Sequence, residues 1–114
     1  MNENCLFCKI IKGEIPSAKV YEDEYVYAFN DIEPQAPVHV VFVPKKHIKS
    51  ANDINDDNAF YVAAIFKAIA KVASDLDLSE GYRVVNNCGE YGGQTVMHLH
   101  FHLMGKRKFG WPAG

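Results

Sequence analysis

The sequence holds little of what marks an exported or membrane-bound protein. No apolar run approaches the length of a bilayer span, and the start, Met1-Asn2-Glu3-Asn4-Cys5, has neither a basic stretch nor an apolar core of signal length. A cytoplasmic protein is expected. Cysteine is scarce: Cys5, Cys8 and Cys88 are odd in number and argue against a disulfide framework, which leaves metal binding or plain burial. Charge of one sign is also lacking, because 12 Lys+Arg face 14 Asp+Glu for a net charge of -2. No broad field therefore draws nucleic acid or anionic lipid, and an anionic ligand has to be held locally. What is present is the composition of one globular domain over residues 1–114, with 48% hydrophobic and 23% charged residues and no internal repeat.

The local patterns alternate between two periods. Cys5 to Lys12 carries Leu6, Phe7, Ile10 and Ile11 at helical spacing, with Gly13 where a helix should end. Lys19–Glu22 and Tyr25–Phe29 are rich in β-branched and aromatic residues around the polar Asp23-Glu24, which predicts a hairpin. Pro34 and Pro37 break the chain into a loop, and Val38–Val43 reads as a strand ended by Pro44, with His39, Val41 and Val43 on one face. Asn55, Asp56 and Asp57 read as the cap and acidic first turn of a long helix whose apolar stripe is Val62, Ile65, Phe66, Ile69, Val72, Ala73 and Leu76. Two more strands are expected, Gly81–Asn87 and Thr95–Met104, separated by a loop from Cys88 to Gln94 with three glycines. Strands joined by short turns around one long helix predict an α+β fold, an antiparallel sheet with a helix packed on one face.

The last strand carries the chemistry. Alternation in His98-Leu99-His100-Phe101-His102-Leu103 puts three imidazoles on one face and three large apolar groups on the other. Clustered histidines either bind a catalytic metal or supply a nucleophile. A magnesium or manganese phosphohydrolase wants converging carboxylates, and Tyr91–Met104 has none, so a route without a catalytic metal fits better. Neutral imidazole attacks phosphorus without a separate strong base, while neighbours such as His39 and His102 supply protons and hydrogen bonds to the phosphate oxygens.

A second constellation lies outside that set. Cys5 and Cys8 are three apart, a spacing that serves a metal, a redox motif or incidental burial. His47 and His98 complete a set of two thiols and two imidazoles, and four protein ligands leave a tetrahedral zinc no open position, which makes such a metal structural. Cys88 fits no set and reads as a small buried or partly buried thiol.

These motifs together resemble the histidine triad (HIT) superfamily, in particular the histidine triad nucleotide-binding branch that hydrolyses nucleoside phosphoramidates. The resemblance rests on Cys5–Ile11, Phe29–Ile32, Pro34–His39, Val43–Ile48, Gly92–His98 and the histidine strand, in the family's order along nearly the whole chain. It implies a five-stranded antiparallel sheet with one long and one short helix, and a homodimer that joins two sheets into a larger one. It implies further that His100 forms a covalent nucleotidyl-histidine intermediate, which water hydrolyses to a nucleoside monophosphate, with His39 and His102 flanking the phosphate. Asp31 would bind the ribose hydroxyls and Ile32 the purine base, while Asn87, Gly93, Gln94 and Thr95 would contact the phosphate or leaving group. Cys5, Cys8, His47 and His98 match the zinc ligands of the zinc-binding members.

Thr95 departs from the family's serine but keeps the hydroxyl, and the loop Asn87–Tyr91 departs in bulk. Read singly, Asp31 is a turn residue, Asn87 a strand-end cap and Gly92-Gly93 a hairpin. The tail from Lys106 to Gly114 is either a solvated end or, as in similar tails, an element near the partner subunit's site. Two other functions share these residues: cleavage of dinucleoside polyphosphates, as in another branch, and purine-nucleotide binding with little catalysis. The ending Trp111-Pro112 and the loop Gly92–Thr95 resemble the phosphoramidase branch more.

Overall fold

The computed structural model describes residues 4–114. A five-stranded, wholly antiparallel sheet is formed by β1 (Lys19–Glu22), β2 (Val26–Asn30), β3 (Val38–Pro44), β4 (Arg83–Val85) and β5 (Phe101–Gly105), in the order β1-β2-β3-β5-β4. A short helix, α1 (Leu6–Ile11), and a long one, α2 (Ala59–Asp75), complete the α+β architecture that the sequence predicts.

Both faces of the sheet are covered, not one. Val26 and Ala28 of β2, Val40 and Phe42 of β3 and Leu103 of β5 pack with Ile65, Ala68, Ile69, Val72 and Ala73 of α2. The alternate residues Tyr27, Phe29, Val41 and Val43 pack with Cys5, Phe7, Cys8 and Ile10 around α1. Strands β2 and β3 are therefore buried on both sides, which is why Val38–Val43 reads as a nearly continuous apolar run rather than an alternating one.

Several boundaries differ from expectation. Cys5 is the N-cap of α1, and its sulfur accepts from the Cys8 amide at 3.3 Å. The helix stops at Lys12 and the chain leaves through Gly13 at φ +80, as the glycine predicts. The first hairpin turns on Asp23, whose Oδ1 accepts from the amides of Tyr25 and Val26, so β2 begins one residue later than its apolar run. The long helix is entered at Asn58 rather than Asn55. Asn55 Oδ1 instead accepts from the Asp57 and Asn58 amides, and Asn58 Oδ1 from the Asn55 amide, a closed pair that shapes the approach after a short 3-10 turn, Ala51–Asp53. Within the apolar stripe Phe66 and Leu76 stay exposed, with Phe66 meeting Phe101 edge-on at 5.4 Å.

The largest correction concerns the histidine strand. β5 begins at Phe101, not Thr95, because a strand lasts only as long as its partners: β3 pairs with it from Val38 opposite Gly105 to Phe42 opposite Phe101, and β4 reaches only His102. Upstream, isolated bonds replace the ladder, from the Leu99 amide to the Ile48 carbonyl at 2.6 Å and from Asn86 Nδ2 to the His100 carbonyl at 2.9 Å.

Leu103 is fully buried between the sheet and α2, so Leu103→Ala is expected to cost about 2–5 kcal/mol in urea unfolding, while Phe66→Ala, 46% exposed, costs less. Equal costs would contradict this placement of the core.

Candidate active site and metal cluster

The register of β3 against β5 assembles the imidazole row in one step. Val41 lies opposite His102 and His39 opposite Met104, which puts the His39 and His102 rings on the same face with centroids 5.0 Å apart. The row continues through His100, 5.1 Å from His102, and ends on Phe7 of α1, whose ring stands edge-on to His100 at 5.0 Å and to His98 at 5.9 Å. Phe7 thus touches both His100 and His98, a role that its place in an apolar helix stripe does not reveal.

Backbone groups assign the proton on each ring. The Gln35 amide can only donate, and it lies 3.0 Å from His39 Nδ1, so neutral His39 carries its proton on Nε2. That N–H donates to His102 Nδ1 at 2.9 Å, with Asp31 Oδ2 3.4 Å away, and His102 in turn keeps its proton on Nε2. His100 is set the opposite way: its Nδ1–H donates to the His98 carbonyl at 2.7 Å, leaving the Nε2 lone pair available. Burial disfavours the charged form of all three rings. It pushes His39 and His100 below the ordinary imidazole value and His102 down to about 4, against the opposing pull of Asp31.

Cys5, Cys8, His47 and His98 form a cluster that can hold a metal ion. His98 Nδ1 lies 3.2 Å from Cys5 Sγ, 3.5 Å from Cys8 Sγ and 3.2 Å from His47 Nδ1, and Cys8 Sγ lies 3.4 Å from His47 Nδ1. His98 Nε2–H donates to the Pro44 carbonyl at 3.0 Å, which turns the Nδ1 lone pair toward the thiols, and burial pushes this ring down to about 4. Asp31, His39 and His102 also converge. There, however, the Gln35 amide occupies His39 Nδ1 and leaves an N–H, not a lone pair, aimed into the group. The first cluster thus has an imidazole lone pair turned inward and the second an N–H.

The remaining sequence-predicted residues divide. Asp31 combines both of its readings, with Oδ1 closing a turn on the Glu33 amide at 2.8 Å and Oδ2 facing the imidazoles. Ile32 is 95% exposed. Gln94 is buried and spends its side chain on backbone: Nε2 donates to the Lys49 and Val96 carbonyls and Oε1 accepts from the Gly89 amide. Asn87 Nδ2 donates to the Gly92 carbonyl at 2.7 Å, and the Gly93 amide to the Glu90 carbonyl at 3.1 Å. A Cβ on Gly92 would sit 2.2 Å from the Cys88 carbonyl oxygen, so only glycine fits. Thr95 is exposed and Cys88 half-buried. A surface cavity of about 570 Å³, between Asp77–Gly81 and Lys106–Lys108, shares no residue with the imidazole row.

The tautomers are directly testable. Long-range 1H–15N spectra at pH 7 are expected to show Nε2–H rings for His39, His98 and His102 and an Nδ1–H ring for His100. An Nε2–H signal from His100 would contradict the arrangement.

Residues 12–109 match the HIT domain family. An uncharacterized HIT-like protein of Synechococcus elongatus is 43% identical over 114 residues, covering the whole of both chains. Among solved structures, a HIT family hydrolase from Clostridium thermocellum superposes with a TM-score of 0.96 at 52% identity, covering 98% of each chain. A histidine triad nucleotide-binding protein from Candida albicans superposes with a TM-score of 0.81 at 40% identity, over 97% of this chain and 85% of that one. The chain belongs to the HIT domain family.

Proposed function

We propose that this chain, as one HIT domain over residues 1–114, is a cytoplasmic purine nucleoside phosphoramidate hydrolase. The observation that carries the reading is His100: a buried, neutral imidazole whose Nδ1–H is tied to a carbonyl and whose Nε2 keeps its lone pair. In the proposed reaction that lone pair bonds to the α-phosphorus while the P–N bond breaks, and the amine leaves with the bonding pair and a proton from solvent. Water then attacks the same phosphorus, releasing a nucleoside 5′-monophosphate and returning the lone pair to Nε2. His39 spends its Nε2–H on His102, so the donor left for the phosphate oxygens is His102 Nε2–H. Asp31 and Ile32 serve the ribose and base, and the loop with Asn87, Gly93, Gln94 and Thr95 borders the phosphate and leaving group. The name of the Candida albicans neighbour supports a nucleotide substrate, and that of the Clostridium thermocellum neighbour supports hydrolysis.

Zinc fits the cluster. Tetrahedral zinc places two nitrogens about 3.3 Å apart and a nitrogen and a sulfur about 3.6 Å apart, near the 3.2–3.5 Å found between His98 Nδ1 and its three neighbours. Cys5, Cys8, His47 and His98 would hold it, and with four protein ligands it would supply structural cross-linking and no chemistry. The reading includes a homodimer, for which the edge strand β4 and the exposed Phe66, Leu76 and Tyr82 offer surface. No helix among the described residues is long and apolar enough to cross a membrane.

With adenosine 5′-phosphoramidate, His100→Ala is expected to lower turnover at least about a thousandfold, and quenched wild-type protein is expected to carry one nucleotide mass on His100. Preferential cleavage of a dinucleoside polyphosphate would favour the other enzymatic reading. Elemental analysis is expected to find one zinc per chain, and Cys8→Ser to lose it and lower the unfolding temperature by more than about 5 °C. Full stability without metal would remove the structural role.

A further inference from the structure

The end of β5 lies beside the start of β3, with Gly105 opposite Val38 and Met104 opposite His39. The chain then turns through Lys106 at φ +67, whose Nζ donates to the Asp77 carbonyl at 2.8 Å just beyond α2. The next residue reaches the other way: Arg107 Nε–H donates to the Gln35 carbonyl at 3.0 Å. Gln35 is the residue whose amide fixes the proton on His39. One residue is thus held at its carbonyl by the tail and holds an imidazole by its N–H.

The guanidinium making that contact is itself fixed. It lies over the Phe109 ring at 4.0 Å, and Arg83 of β4 lies over the same ring at 4.9 Å while donating to the Gly110 carbonyl at 2.6 Å. The loop it grips has few other anchors. Glu33 and Gln35 bond within the loop, to Asp31 Oδ1 and the Glu33 carbonyl, and the Asp31 amide roots it on the His39 carbonyl.

We infer that Arg107 is a positioning residue that acts through Gln35 to fix the tautomer of His39. The inference deepens the proposed function and rests on it for its catalytic consequence. If the Gln35 amide drifts away, the His39 proton is free to move to Nδ1, and His39 then offers His102 a lone pair instead of an N–H. His102 answers by protonating Nδ1, which takes the proton from the Nε2 that faces the phosphate oxygens. The effect falls on turnover rather than on substrate affinity.

The test uses full-length protein, with His39 followed in long-range 1H–15N spectra and adenosine 5′-phosphoramidate kinetics measured beside it. Arg107→Ala is expected to turn the single Nε2–H signature of His39 into a mixture and to lower kcat about tenfold, with KM changed less than about twofold. Gln35→Pro, which deletes the amide hydrogen itself, is expected to give the same mixture. Arg83→Ala loosens the tail but spares the Gln35 contact, and is expected to shift the tautomer and kcat less than Arg107→Ala does. An unaltered His39 signature in Arg107→Ala, or an equal change in Arg83→Ala, would overturn the inference. The spectra decide this whether or not the phosphoramidate is a substrate, so failure of the proposed reaction is seen separately, as absent turnover in the wild-type chain.

Discussion

The pairing of β3 with β5 is the constraint on which the rest depends. Side chains alternate across a strand, so a slip of one residue would send every group to the wrong face. In the observed register Val40, Phe42 and Leu103 enter the core beneath α2, while His39 and His102 emerge together on the other side. Burial of the apolar set therefore specifies the geometry of the polar set. The energy that orders the imidazoles comes from the hydrophobic face beneath them.

Five histidines fall into two groups in this chain, and backbone groups set the polarity of three of them. A carbonyl at Nε2 turns the His98 Nδ1 lone pair toward the thiols, a carbonyl at Nδ1 leaves His100 with a free Nε2, and an amide at Nδ1 makes His39 a donor. Side-chain identity supplies imidazole, and the fold supplies its polarity. Desolvation reinforces this by disfavouring the charged form of His39, His98, His100 and His102, and a neutral ring has one donor and one acceptor instead of two donors.

Much of this was legible in the chain because periodicity survives without coordinates. The apolar run of β3, the hairpin around Asp23, the core of the α2 stripe and the alternation of His98, His100 and His102 all follow from spacing. The Cys5/Cys8 pair and His47 likewise pointed to the cluster that the fold assembles with His98. The start of β5 was not legible, since it depends on where β3 and β4 stop offering partners. Nor was the contribution of Gln35, which consists of an amide and a carbonyl that every such residue possesses. The Gln94 side chain likewise holds loop backbone, through two carbonyls and one amide that its place in the sequence does not specify.

His98 is gripped at three points: its Nε2 by Pro44, its Nδ1 among the thiols and His47, and its carbonyl by the His100 ring. The short stretch between the two histidines is consequently anchored at both ends. The His100 nitrogen proposed to attack is aimed before any ligand arrives, and the alignment left to achieve belongs to the incoming phosphate.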